Sequence, residues 1–126
     1  MLVTPANDRE RAVAQAVKQQ TIPPLSDAGM ALLPARLPKW TVKSVDGIDR
    51  LERTFALPNF RAGVDFTNRL GDLAEASNHH PAILNEAGQV TVNWWTFSTG
   101  GITHFDVTMA EKTDRLYESM TTGEKR

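Results

Sequence analysis

Cysteine is absent from this 126-residue chain, which excludes disulfides, thiolate nucleophiles and thiolate-ligated metal and fits a reducing compartment. An excess of charge of one sign is missing too. The 14 Lys and Arg stand against 15 Asp and Glu, a formal net charge of −1, so the summed field of a general nucleic-acid or polybasic membrane binder is lacking. No apolar run approaches the roughly 18 residues of a membrane span, and Met1 to Glu10 shows no basic-then-apolar signal pattern. No internal repeat or low-complexity tract occurs. These absences predict a soluble, cytoplasmic chain of one domain, with no nucleic-acid or membrane partner, whose function resides in a local site.

What is present divides into three parts. Residues 1–25 are polar, contain Pro5, Pro23 and Pro24, and hold few large apolar side chains. Arg9 to Gln20 has helical spacing at Val13, Ala16 and Val17, but without aromatic or leucine anchors the arm is expected to attach loosely and flexibly. Residues 26–120 carry the patterns of a single domain, and 121–126 form a charged tail.

Ser26 supplies an N-cap oxygen for a short helix through Met30, Leu32 and Leu33, bounded by Pro34 and Pro38. Trp40 to Val45 alternates, Asp46-Gly47 makes a hairpin turn, and Ile48 to Leu57 resumes the extended pattern. Asn59 caps a long helix whose apolar stripe is Phe60, Val64, Phe66, Leu70, Leu73 and Ala74. A second hairpin runs from Ala82 to Glu86, turns at Ala87-Gly88 and returns from Gln89 to Phe97. Thr103-His-Phe-Asp106 has capping-box spacing, opening a last helix with Phe105, Met109, Leu116 and Met120 on one face. The predicted order is α-β-β-α-β-β-α. The fold class is α+β, a four-stranded antiparallel sheet with its helices packed on one face.

His79-His80-Pro81 falls where the long helix gives way to a strand. Proline disfavours helical geometry in the residue before it, so both imidazoles emerge at a helix end. Such a pair can transfer protons near neutral pH. A plain surface pair or part of a metal site are the alternatives, and no third ligand is evident beyond the distant His104.

Read in order, Glu75, His79-His80-Pro81, Trp94-Trp95-Thr96-Phe97, Gly100-Gly101-Ile102-Thr103 and Asp106 resemble the pterin-4a-carbinolamine dehydratase signature. That signature comprises an acidic residue, three intervening residues, His-His-Pro, an aromatic in the next hairpin, a strand ending in a further His, a Gly-Gly-Leu-type loop and an Asp in the last helix. Leu37-Pro-Lys-Trp40, Asp46-Gly-Ile48, Leu51-Glu-Arg-Thr-Phe55, Phe66-Thr-Asn68 and Met109-Ala-Glu-Lys-Thr-Asp114 are similar too, over roughly residues 26 to 118. The resemblance implies removal of water from 4a-hydroxytetrahydropterin with no metal or cofactor. His79 and His80 would be acid and base, with Glu75 and Asp106 as orienting groups, and Pro81, Trp95, Phe97 and Thr103 would belong to the cleft. Asp106 has a second reading as the capping-box acceptor alone, and Glu75 as an ordinary solvated residue.

Two positions depart from the pattern: Ala87 stands where bacterial relatives place an aromatic, and Phe97 where the family places a third catalytic His. In this the chain looks like the degenerate branch of the family that accompanies carbon-fixation genes and acts as a Rubisco assembly factor in carboxysome-forming bacteria. The resemblance so implies Rubisco subunits as partners, or a pterin if activity survives, and a homodimer or tetramer in either case. Strand parity puts Trp95 and Phe97 on the face away from the helices, as a partner surface or as a wall of the cleft.

Overall fold

Local chemistry sets most element boundaries in the computed structural model, which describes residues 22–123. The helix expected over Arg9 to Gln20 lies outside the described residues, as do positions 124–126 of the expected 121–126 tail, whose first three residues instead continue the last helix. Ser26 caps helix α1 (Asp27–Ala31) by accepting from the Gly29 amide at 3.1 Å. Helix α2 (Leu33–Arg36) follows at once, with Pro34 in its first turn. Pro34 therefore opens a second short helix rather than ending the first, because a proline's missing N–H costs nothing in a first turn.

Strands β1 (Thr41–Val45) and β2 (Ile48–Ala56) pair antiparallel through Asp46 and Gly47, whose φ angles of 53° and 78° suit a tight hairpin turn. Asn59 caps α3 (Phe60–Ser77) by accepting from Ala62 N at 2.8 Å. Strands β3 (Ala82–Glu86) and β4 (Gln89–Trp94) form the second hairpin, and α4 (His104–Gly123) closes the described chain. The sheet order is β1-β2-β4-β3, antiparallel throughout. The α+β expectation holds. No described helix is long and apolar enough to cross a membrane.

Alternation on β4 buries Val90, Val92 and Trp94 beneath the helices, together with Leu51 and Phe55 of β2. Phe66, Leu70 and Ala74 of α3 and Val107, Met109 and Ala110 of α4 complete the core. Phe55 is its aromatic centre, with ring centroids 5.0 Å from Phe66, 5.0 Å from Tyr117 and 5.9 Å from Trp40.

Three members of the predicted stripes are exposed: Phe60 and Val64 on α3, and Phe105 on α4. Gly63 accounts for α3. It is buried against β3 and β4, where an added Cβ would stand 2.6 Å from Asn85 Oδ1 and 3.2 Å from Val90 Cγ2. The helix rests on the side of its smallest residue. At 3.6 residues per turn this leaves Phe60 about 75° and Val64 about 115° from the centre of the buried face. Phe105, in the first turn of α4, packs on His104 with centroids 4.3 Å apart instead of entering the core.

One polar cluster ties the first hairpin to α4. Asp114 accepts from Arg53 Nη1 at 2.6 Å and from Trp40 Nε1 at 2.9 Å, both partly buried. Asp114→Ala would strand an indole N–H and a guanidinium together. It should lower unfolding free energy by about 2–3 kcal/mol, read from urea melts.

Candidate active site

The site begins with how α3 ends. Asn78 takes a left-handed conformation, φ 49°, a geometry that asparagine tolerates better than most residues. Its N–H bonds the Glu75 carbonyl at 3.2 Å, and the His79 N–H bonds the Ala74 carbonyl at 3.1 Å. The chain is thereby turned off the helix at His79, and Pro81 carries it into β3.

The two imidazoles differ in surroundings. His79 has a side-chain exposure of 19%, and its Nε2 meets Asp106 Oδ1 at 2.6 Å. Its ring lies 14° from parallel with Trp94, centroids 5.5 Å apart. His80 is more exposed, and its Nε2 meets Glu75 Oε2 at 2.5 Å on the surface, where the Glu75 side chain is 77% exposed.

Asp106 is fully buried, and its two oxygens do separate work. Oδ2 accepts from Thr103 N at 2.8 Å, Thr96 Oγ1 at 2.8 Å and Thr103 Oγ1 at 3.3 Å, while Oδ1 faces His79. Thr103 Oγ1 in turn accepts from Phe105 N at 3.2 Å. The capping contacts and the contact to His79 thus fall on different oxygens of Asp106. Opposite an ionised carboxylate, which only accepts, the facing His79 nitrogen would carry the proton and leave Nδ1 without one.

A cleft of about 340 Å³ opens beside this pair, lined by Asn78, His79, His80, Trp95, Thr96, Phe97 and Ser98. Four of the predicted site residues, His79, His80, Trp95 and Phe97, thus share one cavity. Glu75 and Asp106 stand behind the imidazoles.

Other expectations change. Strand β4 stops at Trp94, because Thr96 turns to bridge Gly101 and its carbonyl takes the Thr99 and Gly100 amides. Phe97 therefore sits on a loop at 87% exposure, not on the sheet face. Thr103 was expected to touch a ligand, but it is fully buried under Asp106. Pro81 sets the backbone and is not among the cleft-lining residues. Ala87 was expected at the site. It lies in the β3–β4 turn, six residues beyond Pro81 and roughly 20 Å along the strand at 3.3 Å per residue, and is not among the residues lining this cavity.

Sequence reasoning missed Thr96, Asn78, Ser98 and the stacking of Trp94 on His79. The Thr96 signal was available, since a polar residue continuing the inward series Val90, Val92, Trp94 calls for a buried partner.

The pterin 4 alpha carbinolamine dehydratase family model matches residues 23–116. The chain belongs to that family. Two bacterial proteins named "Putative pterin-4-alpha-carbinolamine dehydratase" are similar. One, from Chlorobaculum tepidum, is 46% identical over 96 residues, covering 76% of this chain and 86% of the relative. The other, from Chlorobium limicola, is 43% identical over 109 residues, covering 81% and 96%. Among solved dehydratase-family structures, a transcriptional coactivator/pterin dehydratase from Brucella melitensis aligns with a TM-score of 0.66 at 29% identity, over 75% of this chain and 98% of that one. A pterin dehydratase-like protein identified as a RuBisCO assembly factor in the alpha-carboxysome aligns with a TM-score of 0.53 at 19% identity, over 65% and 93%. At that identity the likeness is one of fold.

Proposed function

We propose that the protein is a 4a-hydroxytetrahydropterin dehydratase that works with two imidazoles, His79 and His80, in place of the three that its family's pattern contains. The observation that carries this reading is the His79 ring, held through one nitrogen by the buried Asp106 and from beneath by Trp94, at the wall of an open cleft. An imidazole so fixed is pre-organised for proton transfer. In the reaction, one protonated imidazole donates to the 4a hydroxyl as its carbon–oxygen bond breaks. The other accepts the proton of the neighbouring ring nitrogen as the carbon–nitrogen double bond forms, and water leaves. Residues 26–120 act as the one dehydratase-like domain, in the cytoplasm. Two or four copies associate, since β1 and β3 leave edges that a symmetric partner can cover.

A second reading rests on Phe97. A phenyl ring cannot relay a proton, and its exposure suits a protein partner better than a catalytic group. On this reading the scaffold is kept for binding, as a Rubisco assembly factor.

Stopped-flow dehydration of 4a-hydroxytetrahydrobiopterin separates the two. The first reading expects a rate clearly above the uncatalysed one, falling about 10²- to 10⁴-fold in His79→Ala. A wild-type rate equal to background, rising only on Phe97→His, would sink the first reading and leave the second standing.

A further inference from the structure

Arg50 lies just past the β2–β4 pair Leu51↔Trp94, opposite Trp95 and on the sheet face away from the helices. Its guanidinium carbon lies 3.8 Å from the centre of the Trp95 ring. Its Nε is buried without a hydrogen-bond partner. Glu52, two residues along the same face, is already engaged by Lys43 at 3.3 Å and Asn93 at 3.2 Å. Among the described residues no carboxylate pairs with Arg50. The side chain has thus given up water on one nitrogen and set its guanidinium over an indole ring.

Trp95 borders the cleft that holds His79 and His80. With one face covered by the guanidinium, only its other face and its edge can meet a ligand. The loop that follows is held by the Thr96–Gly101 bridge and carries the exposed Phe97. Without a backing group, the indole would be free to swing with that loop.

We infer that Arg50 is a positioning residue that acts through Trp95, clamping the indole as a fixed stacking wall for the flat ring of a pterin. This rests on the reading that the cleft takes a pterin. The guanidinium also draws electron density from the indole face, which suits stacking against an electron-rich, reduced pterin ring. Arg50 does not touch the reacting atoms, so its effect falls on affinity, and turnover of bound substrate stays with the imidazoles.

The test is a double-mutant cycle read by equilibrium dialysis of 7,8-dihydrobiopterin against the full chain, using Arg50→Met, Arg50→Lys, Trp95→Leu and the Arg50→Met/Trp95→Leu pair. Arg50→Met is expected to weaken binding about 3- to 30-fold, with Arg50→Lys in between, because an ammonium keeps the charge but not the planar stack. In the Trp95→Leu background Arg50→Met should cost nothing further. An equal loss in both backgrounds, or no loss in the wild-type background, overturns the inference alone. Failure of the wild-type chain to bind the pterin removes both the inference and the reading beneath it. Should Arg50→Met fail to fold, judged by circular dichroism, Arg50→Gln takes its place in the cycle.

Discussion

Asp106→Asn should lower the dehydration rate about 10²- to 10⁴-fold while leaving the chain folded. The amide has one accepting oxygen where the carboxylate has two. The Thr103 amide and the Thr96 hydroxyl claim that oxygen, because they are buried and have donors to satisfy. The amide NH₂ is then turned toward His79. A donor in that place obliges Nε2 to accept, which moves the proton to Nδ1, the nitrogen that the native carboxylate leaves free. The imidazole stays in position with its donor and acceptor exchanged. Asp106→Ala does more damage of a different kind. It strands the helix-cap donors and His79 together and should cost about 3–5 kcal/mol of stability. Stopped-flow rates and urea melts on both variants separate the effects: a slow but stable Asp106→Asn, against a destabilised Asp106→Ala. An Asp106→Asn chain with native turnover would show that the tautomer of His79 does not matter.

Phe55→Ala should lose about 3–5 kcal/mol, because it empties the centre of the aromatic cluster. Phe66, Tyr117 and Trp40 all face that ring, and Arg53 covers it with its guanidinium carbon 4.2 Å from the centroid. These four groups belong to β2, α3, α4 and the segment before β1, so no single side-chain shift can refill the hole. A small domain has about 5–15 kcal/mol to lose, and such a change brings a chain at the lower end close to unfolding. Phe97→Ala removes the same ring from a position 87% exposed and should alter stability by no more than about 0.5 kcal/mol. Paired urea melts at constant slope give the comparison. A Phe97→Ala loss as large as that of Phe55→Ala would mean that the loop ring is covered in solution.

The features legible in the sequence depend on short-range chemistry. Ser26 and Asn59 cap helices because a side-chain oxygen reaches an amide three residues on, and Asp46-Gly47 turns because the pair accepts positive φ. The buried series Val90, Val92 and Trp94 follows from strand alternation alone. Features that depend on distant neighbours were harder to read. Phe60 and Val64 looked like core because the apolar count gives glycine no weight, whereas Gly63 decides which side of α3 meets the sheet. Phe97 was placed on a strand because alternation has no stop signal at Trp94; the bend comes from the pairing of Thr96 with Gly101. At the site, the His-His-Pro doublet was readable as an imidazole pair at a helix end and Asp106 as a capping acceptor, whereas the placing of Glu75 and Asp106 beside the imidazoles came only with the family resemblance. The stack of Arg50 on Trp95 was not readable, since it exists only once the β2–β4 register is known.

The division of labour within Asp106 bears on how relatives of this chain should be read. One of its oxygens anchors the first turn of α4 and the Thr96 loop whether or not any substrate is ever bound. A lineage that abandoned dehydration would still be held by folding to an accepting oxygen there, which aspartate and asparagine both supply, so only the second oxygen speaks to activity. Glu75 is in the opposite position. At 77% exposure its carboxylate meets the His80 imidazole on the surface, and folding gives little reason to keep it. Across the family, drift of that surface glutamate, or exchange of the buried aspartate for asparagine, should mark where selection for the reaction has ceased.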